Sequence, residues 1–112
     1  KKLSLAHCLN LTGSIKTFSK LKKLEFLDLG GPLLVKGMSM IFTGDISSIS
    51  EAVELKHLNL AKCKELRGDI KTFKKLKKLE YLDMAQCEQL VGNIAVFAEK
   101  KLTYLDLNGC KQ

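Results

Sequence analysis

Four cysteines carry the most distinctive chemistry in this chain, and they stand at Cys8, Cys63, Cys87 and Cys110. Two intervals are nearly equal, with 24 positions from Cys63 to Cys87 and 23 from Cys87 to Cys110. We expect buried thiols that donate weak hydrogen bonds to loop carbonyls. The alternatives are a disulfide between neighbouring cysteines of the last three, or a zinc site, although no CxxC pair occurs. Free thiols favour an intracellular, reducing compartment.

Acid–base or nucleophilic catalysis finds few candidate residues. The histidines His7 and His57 lie 50 positions apart, and the serine group Ser47, Ser48 and Ser50 has no histidine near it in sequence. No glycine-rich loop of the phosphate-binding kind is present. We therefore expect no enzymatic activity, no cofactor and no metal.

The elements that position these residues follow an internal repeat, which is clearest in residues 55–79. Its apolar positions recur along the chain, in repeats near 1–23, 24–54, 55–78, 79–101 and 102–112. The distance from the first strand leucine to the glycine that recurs in each repeat is 10 positions in three repeats and 17 in the second. The second repeat therefore carries a seven-residue insertion within 30–41, and the whole chain is expected to form one domain.

The repeated segments are LKHLNLAKC, LEYLDMAQC and LTYLDLNGC, followed by LTGSI, LRGDI and LVGNI. This pattern resembles the leucine-rich repeat superfamily, in its plant-type LxGxI subclass, with cysteine at the ladder position. The resemblance implies an α/β fold, a right-handed solenoid of about four and a half repeats with a parallel sheet on its concave face. The strand leucines should then form one inward column, made of Leu3, Leu27, Leu58, Leu82 and Leu105.

The insertion is richer in apolar side chains than one coil can bury. We expect it to be a contact element through Leu33, Leu34, Met38 and Met40. These side chains either pack on a neighbouring coil or meet a partner.

Two columns of residues should point away from the core, because side chains of a strand alternate between its faces. One lies before the first strand leucine and the other between the two strand leucines. The predicted partner-binding residues are Phe26, Asp28, His57, Asn59, Tyr81, Asp83, Tyr104 and Asp106. The alternative is that the aromatic residues reflect strand preference and the aspartates only solubilise the sheet.

The formal net charge of +7 raises the question of a polyanionic partner. Most lysines fall in the outer segments of the repeats, where positive and negative residues alternate from coil to coil and predict a ladder of ion pairs. No window of about 18 apolar residues exists, so no membrane span is expected.

The sequence thus predicts a protein–protein interaction scaffold that binds a protein or peptide on its concave face or at its uncapped ends. The alternative is that the basic convex face binds nucleic acid or another polyanion. Neither end carries a polar capping repeat, so contact with another chain or a longer array is expected.

Overall fold

The computed structural model describes residues 2–4, 12–30 and 41–110. Within these ranges the strands are, in chain order, β1 (Lys2–Ser4), β2 (Thr12–Ser14), β3 (Phe26–Asp28), β4 (Ile41–Asp45), β5 (His57–Asn59), β6 (Leu66–Asp69), β7 (Tyr81–Asp83), β8 (Gln89–Val91) and β9 (Tyr104–Asp106). Short 3-10 helices complete the units: η1 (Ile15–Phe18), η2 (Ile46–Ile49), η3 (Ile70–Lys75) and η4 (Ile94–Phe97).

All strand pairs are parallel, and they form two sheets. The larger sheet has the order β1-β3-β5-β7-β9, and the smaller has the order β2-β4-β6-β8. The predicted α/β class with parallel strands is confirmed. The second sheet was not expected, since the sequence predicted a single parallel sheet. It forms because the residues around each LxGxI glycine are extended and pair with the corresponding segment of the next repeat.

The larger sheet pairs equivalent residues without any offset. Its central column runs through Leu3, Leu27, Leu58, Leu82 and Leu105, each paired with the next. The predicted leucine column is therefore confirmed. The middle three leucines are fully buried, so the residues on either side of them in each strand face outward.

The smaller sheet is offset by two residues at every step. The pairs that show it are Gly13 with Phe42, Gly44 with Leu66 and Gly68 with Leu90. Because the offset is constant, Phe42 takes the place of Leu66 and Leu90. The insertion in the second repeat therefore ends before Phe42. Its predicted contact residues Leu33, Leu34, Met38 and Met40 lie outside the described residues.

Apolar side chains of both sheets and of the helices join in one continuous core. Leu58 of the larger sheet, Leu66 of the smaller sheet and Phe73 of η3 are all fully buried. Two positions differ from their equivalents. Ile94 is 65% exposed and Leu105 is 41% exposed, because no described coil follows them.

A side-chain cap precedes every described 3-10 helix. The capping residues are Ser14, Asp45, Asp69 and Asn93, and each accepts a hydrogen bond of 2.8–3.1 Å from the backbone N–H two residues later. The cap of one coil packs on the glycine of the next. A Cβ added to Gly68, whose φ is +128°, would lie 2.6 Å from Oδ1 of Asp45. A side chain at that position therefore conflicts with both the backbone and the neighbouring cap.

Candidate interaction surface

Four rings form a continuous stack on the outward face of the larger sheet, and we call it the aromatic column: Phe26, His57, Tyr81 and Tyr104. Successive ring centroids lie 4.0, 4.1 and 4.4 Å apart, and the ring planes deviate from parallel by 15°, 4° and 8°. The ammonium group of Lys2 continues the column, 4.5 Å from the centroid of Phe26. The contact is a cation–π interaction.

The sheet itself imposes this stacking. Parallel strands lie about 4.8 Å apart, and the register places His57 directly beside Phe26 and Tyr81. Flat side chains at equivalent positions therefore meet face to face. The result is a rigid strip of rings, one per strand, with its edges exposed to solvent.

His57 lies between Phe26 and Tyr81 in the column, and its buried Nε2 atom has no hydrogen-bond partner in the described part of the chain. Burial lowers the pKa of His57, an effect that the carboxylates of Asp28 and Asp83 oppose and the charge of Lys2 reinforces. The imidazole is therefore neutral at pH 7, and it contributes to the column as an aromatic ring.

The tyrosines keep their protons at neutral pH. Burial and the nearby carboxylate of Asp83 raise the pKa of both Tyr81 and Tyr104. The hydroxyl of Tyr104 lies 3.4 Å from Oδ2 of Asp106. The exposed edge of the column thus offers neutral hydroxyl groups beside carboxylates.

The second outward column, which we call the acidic column, consists of Asp28, Asn59, Asp83 and Asp106. Each Oδ1 atom accepts a hydrogen bond of 2.8–3.0 Å from the backbone N–H two residues later. These are Asx turns, and they end the strands. The acidic column therefore has a structural role that the sequence interpretation missed. The signal was present, because an Asp or Asn recurs at one position two residues before a turn.

Asp83 and Asp106 are direct cross-strand neighbours, as the sequence predicted. Like charges at such a pair are unfavourable. Their Oδ1 atoms are nevertheless engaged by the backbone N–H groups of Ala85 and Asn108. The negative charge of these two carboxylates is thus partly compensated by backbone N–H groups. A basic partner is not needed to hold the carboxylates in place.

Gly30 shows how closely the turn residues pack. A Cβ at this position would lie 2.8 Å from Nδ2 of Asn59. The absence of a side chain at Gly30 therefore leaves room for the amide group of Asn59.

The described cysteines form the predicted ladder. Cys63, Cys87 and Cys110 are free, and their Sγ atoms donate to the carbonyl oxygens of Leu29, Leu60 and Met84 at 3.5, 2.9 and 3.0 Å. Burial raises the pKa of Cys63 to about 12 and also raises that of Cys87. These thiols are protonated and unsuited to nucleophilic attack. Cys8 and His7 lie outside the described residues.

Three ion pairs among the described residues join charged side chains of neighbouring coils in the outer segments. They join Lys56 to Glu25 at 3.7 Å, Lys75 to Glu51 at 2.8 Å, and Lys78 to Glu54. The predicted ion ladder is confirmed for these pairs. Because all are exposed, they contribute little to stability.

Within 2–4, 12–30 and 41–110, no three His, Cys, Asp or Glu side chains approach closely enough to hold a metal ion. The same ranges contain no helix with the length and apolar character to cross a membrane. All eight predicted partner-binding residues lie on the outward face of the larger sheet. Comparison with models of known protein families and with curated proteins finds no match.

Proposed function

We propose that this chain is a leucine-rich-repeat solenoid and acts as a non-enzymatic protein–protein interaction module. Its strand, strand and 3-10 helix units succeed one another in space as they do in sequence, with parallel strands throughout. That succession is what a repeat array produces. The larger sheet would be the concave face of a right-handed solenoid of about four and a half repeats, forming one domain.

The stacking of the aromatic column carries the functional proposal. A ring that is free to rotate loses conformational entropy when a partner immobilises it, and this loss weakens binding. Tyr81 is already held between two rings, with centroids at 4.1 and 4.4 Å. A partner that covers these rings would therefore gain apolar contact at a small entropic cost.

The chemistry beside the rings indicates the kind of partner. The C–H groups at the ring edges of Tyr81 and Tyr104 are apolar and lie beside the hydroxyl groups. The neighbouring row carries the carboxylates of Asp28, Asp83 and Asp106. A protein or peptide with an apolar edge and basic or amide donors would complement both columns. The apolar edge would contact the rings, and the donors would reach carboxylate oxygens that the Asx turns leave available.

The coil ends offer a second contact region under this proposal. Ile94 and Leu105 expose 65% and 41% of their surfaces. Apolar surface of this kind favours contact with another repeat or another chain.

The test is quantitative binding of a captured partner by three proteins: the wild type, Tyr81→Ala and Tyr81→Phe. Tyr81→Phe keeps the stacked ring and removes only the hydroxyl, so it is the matched control. We expect Tyr81→Ala to lose most of the affinity and Tyr81→Phe to retain it. Equal affinity for all three would show that the partner binds elsewhere.

A further inference from the structure

A cleft opens on the outer side of the molecule, between η3 and η4. It measures about 710 Å³, which lies within the range of small-molecule sites. Four lysines are among the residues that line it, and we call it the lysine cleft: Lys71, Lys74, Lys77 and Lys100. It lies away from the aromatic column, which belongs to the larger sheet.

Helix geometry explains why the lysines meet here. A 3-10 helix has three residues per turn, so residues i and i+3 lie on one face. Lys71 and Lys74 are therefore neighbours on η3. The corresponding residues of the next coil are Ala95 in η4 and Ala98 at its C-terminal cap, and their short side chains line the opposite wall. Long basic side chains on one coil and short ones on the next leave the space between them open.

Lys100 enters the cleft from the coil that carries η4, at the position that Leu76 holds in the preceding coil. Leu76 is fully buried, whereas the ammonium group of Lys100 is part-buried and donates to the carbonyl oxygen of Leu76 at 3.2 Å. Burial and the positive charge of Lys77 both lower the pKa of Lys100. A partly desolvated cation thus stands among other cations.

The lysines of the cleft differ from those beside it. Lys75 and Lys78 pair with Glu51 and Glu54 of the previous coil. In the described part of the chain, no ion pair joins any of the four cleft lysines to a carboxylate.

Two carboxylates, of Asp69 and Glu99, also line the cleft. Oδ1 of Asp69 already accepts from the backbone N–H of Lys71 at 2.8 Å. Four ammonium groups against two carboxylates leave a net charge of +2. The cleft is therefore a concentration of positive charge that the protein itself does not neutralise.

We propose that the lysine cleft binds a compact anion that carries several phosphate groups. Lysine binds phosphate as a point charge, whereas arginine is the usual residue for planar carboxylates, and no arginine lines the cleft. The lining also contains no aromatic ring, so bases of a nucleic acid have nothing to stack on. A small polyphosphorylated molecule fits the volume of this open cleft and its clustered charge better than an extended strand.

Titration calorimetry with inorganic tripolyphosphate tests the proposal. The test variant replaces all four cleft lysines with glutamine. The control replaces Lys16, Lys20, Lys23 and Lys64 instead, which are exposed and change the net charge equally. We expect saturable one-to-one binding that the test variant weakens roughly 100-fold or more, since bonds to charged groups are the strong ones. The double variant Lys71→Gln/Lys74→Gln, which leaves Lys100 in place, should fold normally and bind at least about tenfold more weakly.

Equal weakening by the test and control variants would overturn the proposal, because it would mean diffuse attraction to net charge. Binding to single-stranded nucleic acid without binding to tripolyphosphate would overturn it as well. Retention on vesicles with phosphorylated headgroups, competed by tripolyphosphate, supports the cleft with a lipid headgroup as the source. Saturable tripolyphosphate binding without vesicle retention supports it with a soluble anion. Tyr81 does not line the cleft, so Tyr81→Ala should bind tripolyphosphate like the wild type. Failure of the chain to bind tripolyphosphate would therefore leave the proposed protein-binding role untouched.

Discussion

The imidazole of His57 stacks on the phenol ring of Tyr81 with their centroids 4.1 Å apart and their planes 4° from parallel. His57 is also stacked on Phe26 from the opposite side, at 4.0 Å. The ring is thereby held between two others, and its Nε2 atom has no hydrogen-bond partner among the described residues. An ionisable residue whose pKa is lowered by burial therefore lies within the proposed binding surface.

Stability should depend on the protonation of His57. Burial lowers the pKa of His57 in the folded state, so the unfolded chain binds the proton more readily. This contribution to stability is complete above the unfolded pKa of about 6.5 and is lost as the pH falls through the folded pKa. Chemical denaturation between pH 7.5 and 5 should show stability falling in the wild type, and falling less in His57→Phe. His7→Gln serves as the control, and an identical pH dependence in wild type and His57→Phe would contradict this account.

The glycine at the turn of the third repeat should tolerate no side chain. Gly68→Ala places a Cβ 2.6 Å from Oδ1 of Asp45. At Gly13, the equivalent glycine of the first repeat, a Cβ meets no atom within 4 Å. Both have positive φ, so comparing the two isolates the contact. We expect Gly68→Ala to lower the free energy of unfolding by about 1–3 kcal/mol more than Gly13→Ala. Equal losses in urea denaturation would show that the cap simply moves aside.

The structural and binding roles of Asp83 are separable by two substitutions. Asp83→Asn keeps the acceptor for the backbone N–H of Ala85, whereas Asp83→Ala removes it. We expect Asp83→Ala to cost about 0.5–1.5 kcal/mol of stability, and Asp83→Asn to change it by no more than about 0.5 kcal/mol. If the carboxylate charge attracts a basic partner, Asp83→Asn should still weaken binding. Similar melting temperatures for wild type and Asp83→Ala would show that the Asx turn contributes nothing.

The cysteine ladder should resist alkylation in the folded protein. Cys63 and Cys87 are buried with raised pKa values, whereas Cys110 is only part-buried. Iodoacetamide labelling followed by mass spectrometry should modify Cys110 well before the other two, because the thiolate is the reactive species. In denaturant the three rates should converge. Equal rates in the folded protein, or a mass that indicates a disulfide, would refute the ladder of buried thiols.

Much of the fold follows from periodicity. The spacing of Leu27, Leu58 and Leu82 predicts the inward column, and in the larger sheet these equivalent positions pair without offset. The second sheet escaped prediction because three of its four strands contain a glycine, such as Gly68 in β6, and glycine ordinarily indicates a turn. Its pairing depends on the neighbouring coil and not on local preference.

For the candidate surface, the sequence predicts which residues point outward but not how they interact. The position of His57 in the repeat predicts that its side chain lies on the outward face of the sheet. The near-parallel stacking of its ring depends on side-chain orientation, which the sequence does not define. The recurrent Asp and Asn residues suggested charge toward a partner. Their hydrogen bonds to the backbone became visible only once the turns after the strands were defined, as for Asp28 and Gly30.

Binding by Tyr81→Ala tests the central claim most directly. The substitution removes the ring that connects His57 to Tyr104, so the continuous surface is interrupted at its centre. With a captured partner, we expect its affinity to fall at least ~30-fold, as for a buried aromatic anchor. Tyr81→Phe and a variant with Lys22, Lys23, Lys77 and Lys78 replaced should bind like the wild type. Normal binding by Tyr81→Ala, together with loss of binding in the lysine variant, would contradict the assignment of the aromatic column as the partner surface.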